Sequence, residues 1–497
     1  MPVSLILHRE EFSNQYERFW NNPYRAPIRW IAVLFGILFV SAFQASIIAG
    51  VTITLDEATL QEYQNLVLTS QERIIQCLRL GNYMKGGSHT IEALLFLLQL
   101  EYLQGEDKQH ECWQLIGVTV RIALKMGYHR DGSHFPHLSA YEAEMRRRIW
   151  YILIQFDIAT AAQVGLPRMI RETQYDTLPP HNLLDTDFNS TSPTLPPSRP
   201  ESEPTLPQFL TSKSKIISVY GMICDFTNSS QQHDYTEAMR LDALLNTAFS
   251  QKPMHLAPKP ISRSITDGTA LIVRRLYIAM SFHHAQISLH RKYMLRAKSD
   301  PRYAYSHATC IAAASTALQY QNELEEYSQP GRMLQGERYK ILSLVQSEFL
   351  LATTVLCANL NDDLDHKRWE TTALCKREEV EKLTRVLAKS RRVWEGQLEF
   401  SKEARVAAKA ATVVLAKAVA MGLMDPMPGT AASTHYESNV PLTGGAGGTA
   451  SELSADMVHQ TGSFDYEVSL DAHTGFDDEM WSSVLDMEQS WDAWIQR

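Results

Sequence analysis

Trp113 to Phe188 constrains this chain most, because helix signals, caps and turns succeed one another there and leave no room for a strand. Cys112, Ile116, Val120 and Ala123 recur at helical spacing, and Gly127 stands where a C-cap belongs. Ser139 and Glu142 form a Ser-x-x-Glu capping box, which predicts a helix starting at Ser139. Met145, Ile149, Ile152, Leu153 and Phe156 then line one face of it. Arg146, Arg147 and Arg148 follow Glu142 and Glu144, so Glu142–Arg146 and Glu144–Arg148 have i,i+4 spacing. The triplet reads either as a solvated, ion-paired helix face or as a phosphate-binding patch. The adjacent acids cancel the field that a patch needs, which favours the solvated face.

The order of residues here resembles the middle homology region of fungal zinc-cluster transcription factors. The positions that carry the resemblance begin with Gly127, His129, Arg130 and Asp131. Glu144, Arg146, Arg147, Arg148, Trp150 and Asp157 follow on the next helix, then Gly165 and Pro167 of a Gly-x-Pro turn. Asp176, Pro179, Asn182, Asp185 and Asp187 complete an Asp-x-x-Pro-x-x-Asn-x-x-Asp-x-Asp loop. The resemblance runs from about His8 to Ala420 and fits poorly between Ala45 and Glu62. It implies an all-α regulatory domain and a nuclear regulator of RNA polymerase II transcription. In that family a six-cysteine zinc cluster reads DNA, and a coiled coil behind it often dimerises the protein. The cysteines here are Cys77, Cys112, Cys224, Cys310, Cys357 and Cys375, of which the closest two lie eighteen positions apart. A structural zinc site needs ligands about two to four residues apart. The expectation is therefore no cofactor in this chain, with zinc and DNA binding confined to a module upstream of it, and a homodimer left open.

Trp30 to Val51 holds 22 residues without a charge, enough to span a bilayer. Arg18, Arg25 and Arg29 precede it and Asp56 and Glu57 follow, as an anchored segment would have it. Hydropathy alone favours a membrane anchor. The resemblance favours a buried core helix, because His8 to Trp20 followed by Trp30 to Leu38 looks like the opening of the family's regulatory domain. Membrane anchoring through 30–51 stays as the alternative to a nuclear protein.

Further on, Ile91 to Tyr102 reads as a core helix. Residues 189–207 carry six prolines among Ser and Thr, which bars helix and predicts an extended loop or linker. Leu195 to Pro200 matches a run that the family carries at this place. Helical patterns dominate from Gln208 to Asp425. The expected organisation is a helical half over 1–188, the loop 189–207, a second helical half over 208–425, and a disordered acidic tail over 426–497.

That tail holds eleven acids and one base between Ser451 and Arg497, a net of −10, so the whole-chain charge of −9 leaves the body at +1. A near-neutral body has no global attraction for nucleic acid. Phe476, Met480, Trp481, Leu485, Trp491 and Trp494 are spaced among the tail's acids, and several recur at i,i+4. Acids keep such hydrophobes solvated until a partner groove folds them, the composition of an acidic activation segment that contacts a coactivator or the transcription machinery.

No enzyme is expected. His129-Arg130-Asp131 copies the start of a kinase catalytic loop, but Pro136 stands where that loop needs Asn. The run at Gly444 to Gly448 lacks the Lys-Ser/Thr of a phosphate loop. His283, His284 and His290 lack a partner carboxylate or thiol at ligand spacing and read as surface or core residues. A second alternative is a helical protein whose body binds a small-molecule or protein effector.

Overall fold

The structure is a computed structural model that describes residues 3–51, 56–104, 108–231, 234–367, 377–398 and 401–425, without the side chains of 3–4, 47–51, 104 and 338–346. Every regular element among the described residues is helical. The α-helices are α1 (Val3–Ile6), α2 (Arg9–Asn21), α3 (Ile28–Val51), α4 (Glu57–Leu80), α5 (Thr90–Gln104), α6 (Gln109–Lys125) and α7 (Ala140–Val164). After a long loop come α8 (Leu206–Thr227), α9 (Tyr235–Ser250), α10 (Thr269–Met294), α11 (Ala304–Tyr327), α12 (Arg338–Asp365), α13 (Arg377–Glu395) and α14 (Lys402–Ala420).

The helix boundaries follow local chemistry. Gly127 takes φ +77° just past α6, and its neighbour Tyr128 donates its backbone N–H back to the Ala123 carbonyl at 3.0 Å. That left-handed C-terminal turn suits glycine because no Cβ opposes it. Ser139 Oγ accepts from Glu142 N at 3.2 Å while Glu142 Oε2 accepts from Ser139 N at 2.8 Å, closing the capping box of α7. Gly165 ends α7 at φ +67°. Thr205 caps α8, with Pro207 in its first turn where a missing N–H is harmless.

Two apolar cores form. The first gathers buried residues from Leu5 to Tyr293 and is built largely by α3 to α9 with part of α10. The second gathers residues from Ile261 to Leu423 and is built by α10 to α14. Helix α10 belongs to both, giving Ile278, Phe282, Ala285 and Leu289 to the first and Ile272, Leu276, Met280 and Ile287 to the second.

Helix α3 packs on α4 and α5, burying Trp30, Ala32, Val33, Phe39 and Ala42. Ile28–Ser46 is long and apolar enough to cross a membrane, and 39% of its most apolar window is buried inside the body. Half of Ala45 to Glu62, where the resemblance weakens, lies outside the described side chains. Residues 189–205 contain no helix, as their prolines require. The stretch is nonetheless tied down. Asn182 Nδ2 donates to the Arg199 and Pro200 carbonyls at 3.0 Å each, and Thr205 Oγ1 donates to Asn182 Oδ1 at 2.5 Å.

Candidate functional site

The charged residues of the 127–187 stretch converge on the N-terminal half of α7. Arg147 grips Asp131 with two bonds, Nε to Oδ2 and Nη2 to Oδ1, each 2.8 Å. Asp131 also accepts from Leu178 N at 3.0 Å and Ser133 N at 3.1 Å. Burial works to raise the Asp131 pKa, but Arg147 and these N–H groups outweigh it and hold the carboxyl well below its ordinary range. Glu144, fully buried, accepts from His181 N at 3.0 Å and lies 2.8 Å from His181 Nδ1. Arg148 binds Asp185 at 2.7 Å and stands 3.7 Å from Glu144, with its guanidinium over the Phe188 ring. Asp187 takes two bonds from Arg199, and Asp176 is shared by Asp131 N, Arg130 and His134.

This overturns the solvated face expected for the arginine triplet. Arg147 is 7% exposed and Arg148 1%. Their partners lie 16 and 37 positions away rather than four. The expected Glu144–Arg148 pair exists at 3.7 Å, whereas Glu142 turns back to its capping box. Arg146 donates to the Met126 carbonyl and covers the Tyr128 and Phe135 rings. The stretch is a lattice that pins the 176–188 loop to α7 and engages the Arg147 and Arg148 forks within it.

The remaining positions are structural in the same sense. Asp157 accepts from Met169 N and Ile170 N, and its burial pushes the carboxyl pKa up. Trp150 is fully buried beside His129 and Tyr175. Pro167 and Pro179 are exposed turn residues. Ile149, Ile152 and Leu153 are buried as expected, while Phe156 is only half-buried because it lines a cavity. The tail positions Phe476, Met480, Trp481, Leu485, Trp491 and Trp494 lie outside the described residues.

That cavity, about 380 Å³, lies between α5, α7, α8, α10 and α12. Its walls are mainly apolar, with Lys213, Tyr220, His284, Arg291 and Glu348 among its polar lining. His284 Nε2 and the Tyr220 hydroxyl are 2.8 Å apart. Burial, with Arg291 nearby, pushes the His284 pKa down to about 4, so the ring is neutral at physiological pH. Burial pushes Glu348 up to about 7 against the pull of Lys213, and burial pushes Lys213 down. Sequence reading missed these residues, although Lys213 and Glu348 each interrupt an apolar helical run, which is a visible signal. A wider polar cleft of about 690 Å³ lies over α2, α5 and the start of α7, lined by Glu11, His89, Glu92 and Arg146.

His290, 0% exposed, is held by Asp242 and Ser306, which places it in the core, one of the two settings expected for these histidines. No group of three His, Cys, Asp or Glu that would hold a metal occurs among the described residues. The described cysteines stand on separate helices, and all but Cys224 are buried, so they do not fit a zinc cluster.

The body is all-α, with a cavity among its helices and a loop locked to α7 by charge. The model for the fungal specific transcription factor domain matches residues 2–251, and the chain belongs to that family. It is 44% identical to the Zn(2)-C6 fungal-type transcription factor pigI of Monascus ruber, over 83% of this chain and 50% of the relative. Identity is 38% to the Zn(2)-C6 fungal-type transcription factor mpsB of Macrophomina phaseolina, over 89% of this chain and 60% of that one. It is 36% to the equisetin cluster transcription factor eqxF of Fusarium heterosporum, over 83% and 59% respectively. The chain thus spans half to three fifths of these relatives' lengths. No solved structure matches it. The family is one of transcription regulators, not of enzymes.

Proposed function

We propose that this chain is the regulatory portion of a nuclear regulator of RNA polymerase II transcription. Residues 1–188 and 208–425 are the two halves of one helical body, with 189–207 strapped across them. Residues 426–497 are the activation segment that contacts a coactivator. The observation that carries the reading is the family match over 2–251, which coincides with the helices and the charge lattice around α7. The relative named for an equisetin cluster supports a target set confined to one gene cluster. In this reading zinc and sequence-specific DNA contact are not functions of the helical body, where the described cysteines stand on separate helices and Arg147 and Arg148 are engaged by Asp131 and Asp185.

The test is a reporter assay with the full chain fused to an unrelated DNA-binding domain and a fluorescent tag. The fusion should be nuclear and active. Trp481→Ala should lower output strongly and Asp478→Ala only slightly, because buried aromatics dominate groove contacts while a lone acid acts mainly on encounter. A nuclear, expressed and silent fusion overturns the activation reading. Retention in membranes after alkaline carbonate extraction overturns the nuclear one.

A further inference from the structure

The cavity between α7, α8, α10 and α12 has two unlike ends. Ile152, Phe156, Phe209, Leu210, Leu350 and Leu351 supply apolar wall. Lys213 and Glu348 bring an amine and a carboxyl to the same space from α8 and α12. They influence each other electrostatically, yet Lys213 makes no ion pair within 4.0 Å among the described residues. The Tyr277 ring lies 5.6 Å from Nζ to the centroid. Glu348 Oε2, Gln163 Oε1 and His284 Nδ1 are buried without a hydrogen-bond partner among the described residues. Buried polar groups are nearly always satisfied, so these groups require a partner that the cavity itself holds.

The charges select that partner. Lys213 and Arg291 line the cavity as cations, and Glu348 is the one carboxyl among the described lining residues. An anionic head beside Lys213 gains a charge-assisted bond in a dry site, with Glu348 in its neutral form donating its O–H to the same head. A cationic head would face two like charges, and a neutral hydroxyl would leave the ammonium uncompensated. The volume falls within the range of about 300–1,000 Å³ typical of small-molecule sites.

We propose that this cavity binds an amphipathic organic acid, with a mainly aliphatic body against the apolar wall and one acidic head between Lys213 and Glu348. The proposal gives the regulatory reading above its effector class and rests on it only for biological meaning. Both packed cores meet at α10, which carries His284 and Arg291, so occupancy stiffens the helix that the cores share.

The test is displacement of cis-parinaric acid fluorescence from the full-length chain at pH 6.5 by dodecanoate, 1-dodecanol or dodecylamine. Dodecanoate should compete at least about tenfold better than 1-dodecanol, the size of one hydrogen bond to a charged group. Dodecylamine should compete worst. Lys213→Met should abolish the preference for the acid while keeping the melting temperature, since it removes a desolvated charge and keeps the stem's volume. Should that variant fail to fold, Lys213→Gln gives the same comparison. Failure of all three ligands to compete, equal competition by acid and alcohol, or an acid preference that survives both substitutions overturns the proposal. The assay reads binding alone, so such a failure is distinct from a silent reporter.

Discussion

At the scale of single residues, Arg147 and Ile149 make the sharpest comparison. Arg147→Ala leaves Asp131 buried and unpaired, and should destabilise the body by about 3–5 kcal/mol. Ile149→Ala opens a hole in the first core and should cost about 2–5 kcal/mol. Denaturant unfolding of both variants checks the pair. An Arg147→Ala loss under about 1 kcal/mol would restore the solvated face that the i,i+4 pattern suggested. Sequence reading found the capping box and Ile149 because both are written in local spacing. It misread Arg147 and Arg148 because Asp131 and Asp185 are remote along the chain and reach them only through the fold.

The two perturbed carboxyls respond to pH with opposite signs. Asp131 has a depressed folded pKa, so its stabilisation is present above its ordinary value and is lost as pH falls through the folded one. The advantage of the native residue over Asp131→Asn should therefore shrink in acid. Glu348 is raised to about 7, so the stability it gives is present below its ordinary value and is lost as pH rises through neutrality. Glu348→Gln should gain stability relative to the native chain as pH rises from about 5 to about 7 and hold that gain above it. The groups sensing Glu348 are Lys213 on α8 and Tyr102 on α5, with His284 and Arg291 facing the cavity from α10. His284 stays neutral across that window. Melting curves at several pH values check both signs, and a Glu348→Gln difference independent of pH would contradict the second.

At the scale of elements, α3 carries the membrane question. Gly36 lets α3 approach α5 closely, for a Cβ there would stand 2.5 Å from the Phe96 ring. Gly36→Val should thus cost about 1–3 kcal/mol through overpacking and lower the melting temperature. A variant that melts like the native chain would mean that α3 does not dock on α5. The sequence could not decide between core and span, because length and apolarity are the same in both. Phe96 and the other buried side chains of α5, which lie far along the chain, supply the packing surface that a core helix needs. Helices α5, α6 and α7 were legible because their caps and apolar faces are local. The cavity was not, because its lining comes from helices that meet only in three dimensions.

At the scale of the whole molecule, two cores share α10, and Asp131, Glu144, Arg147 and Arg148 of the family stretch are buried against one another. A near-neutral body joined to an acidic tail then has little to offer a phosphate backbone. Sequence-selective contact also needs side chains free to reach base edges, and Arg147 and Arg148 are engaged by Asp131 and Asp185. The most direct measurement is a mobility-shift selection of random duplex DNA by the purified 497-residue chain at physiological salt. The account predicts no enriched sequence and only weak, salt-sensitive association. Nanomolar binding of one enriched sequence would contradict it.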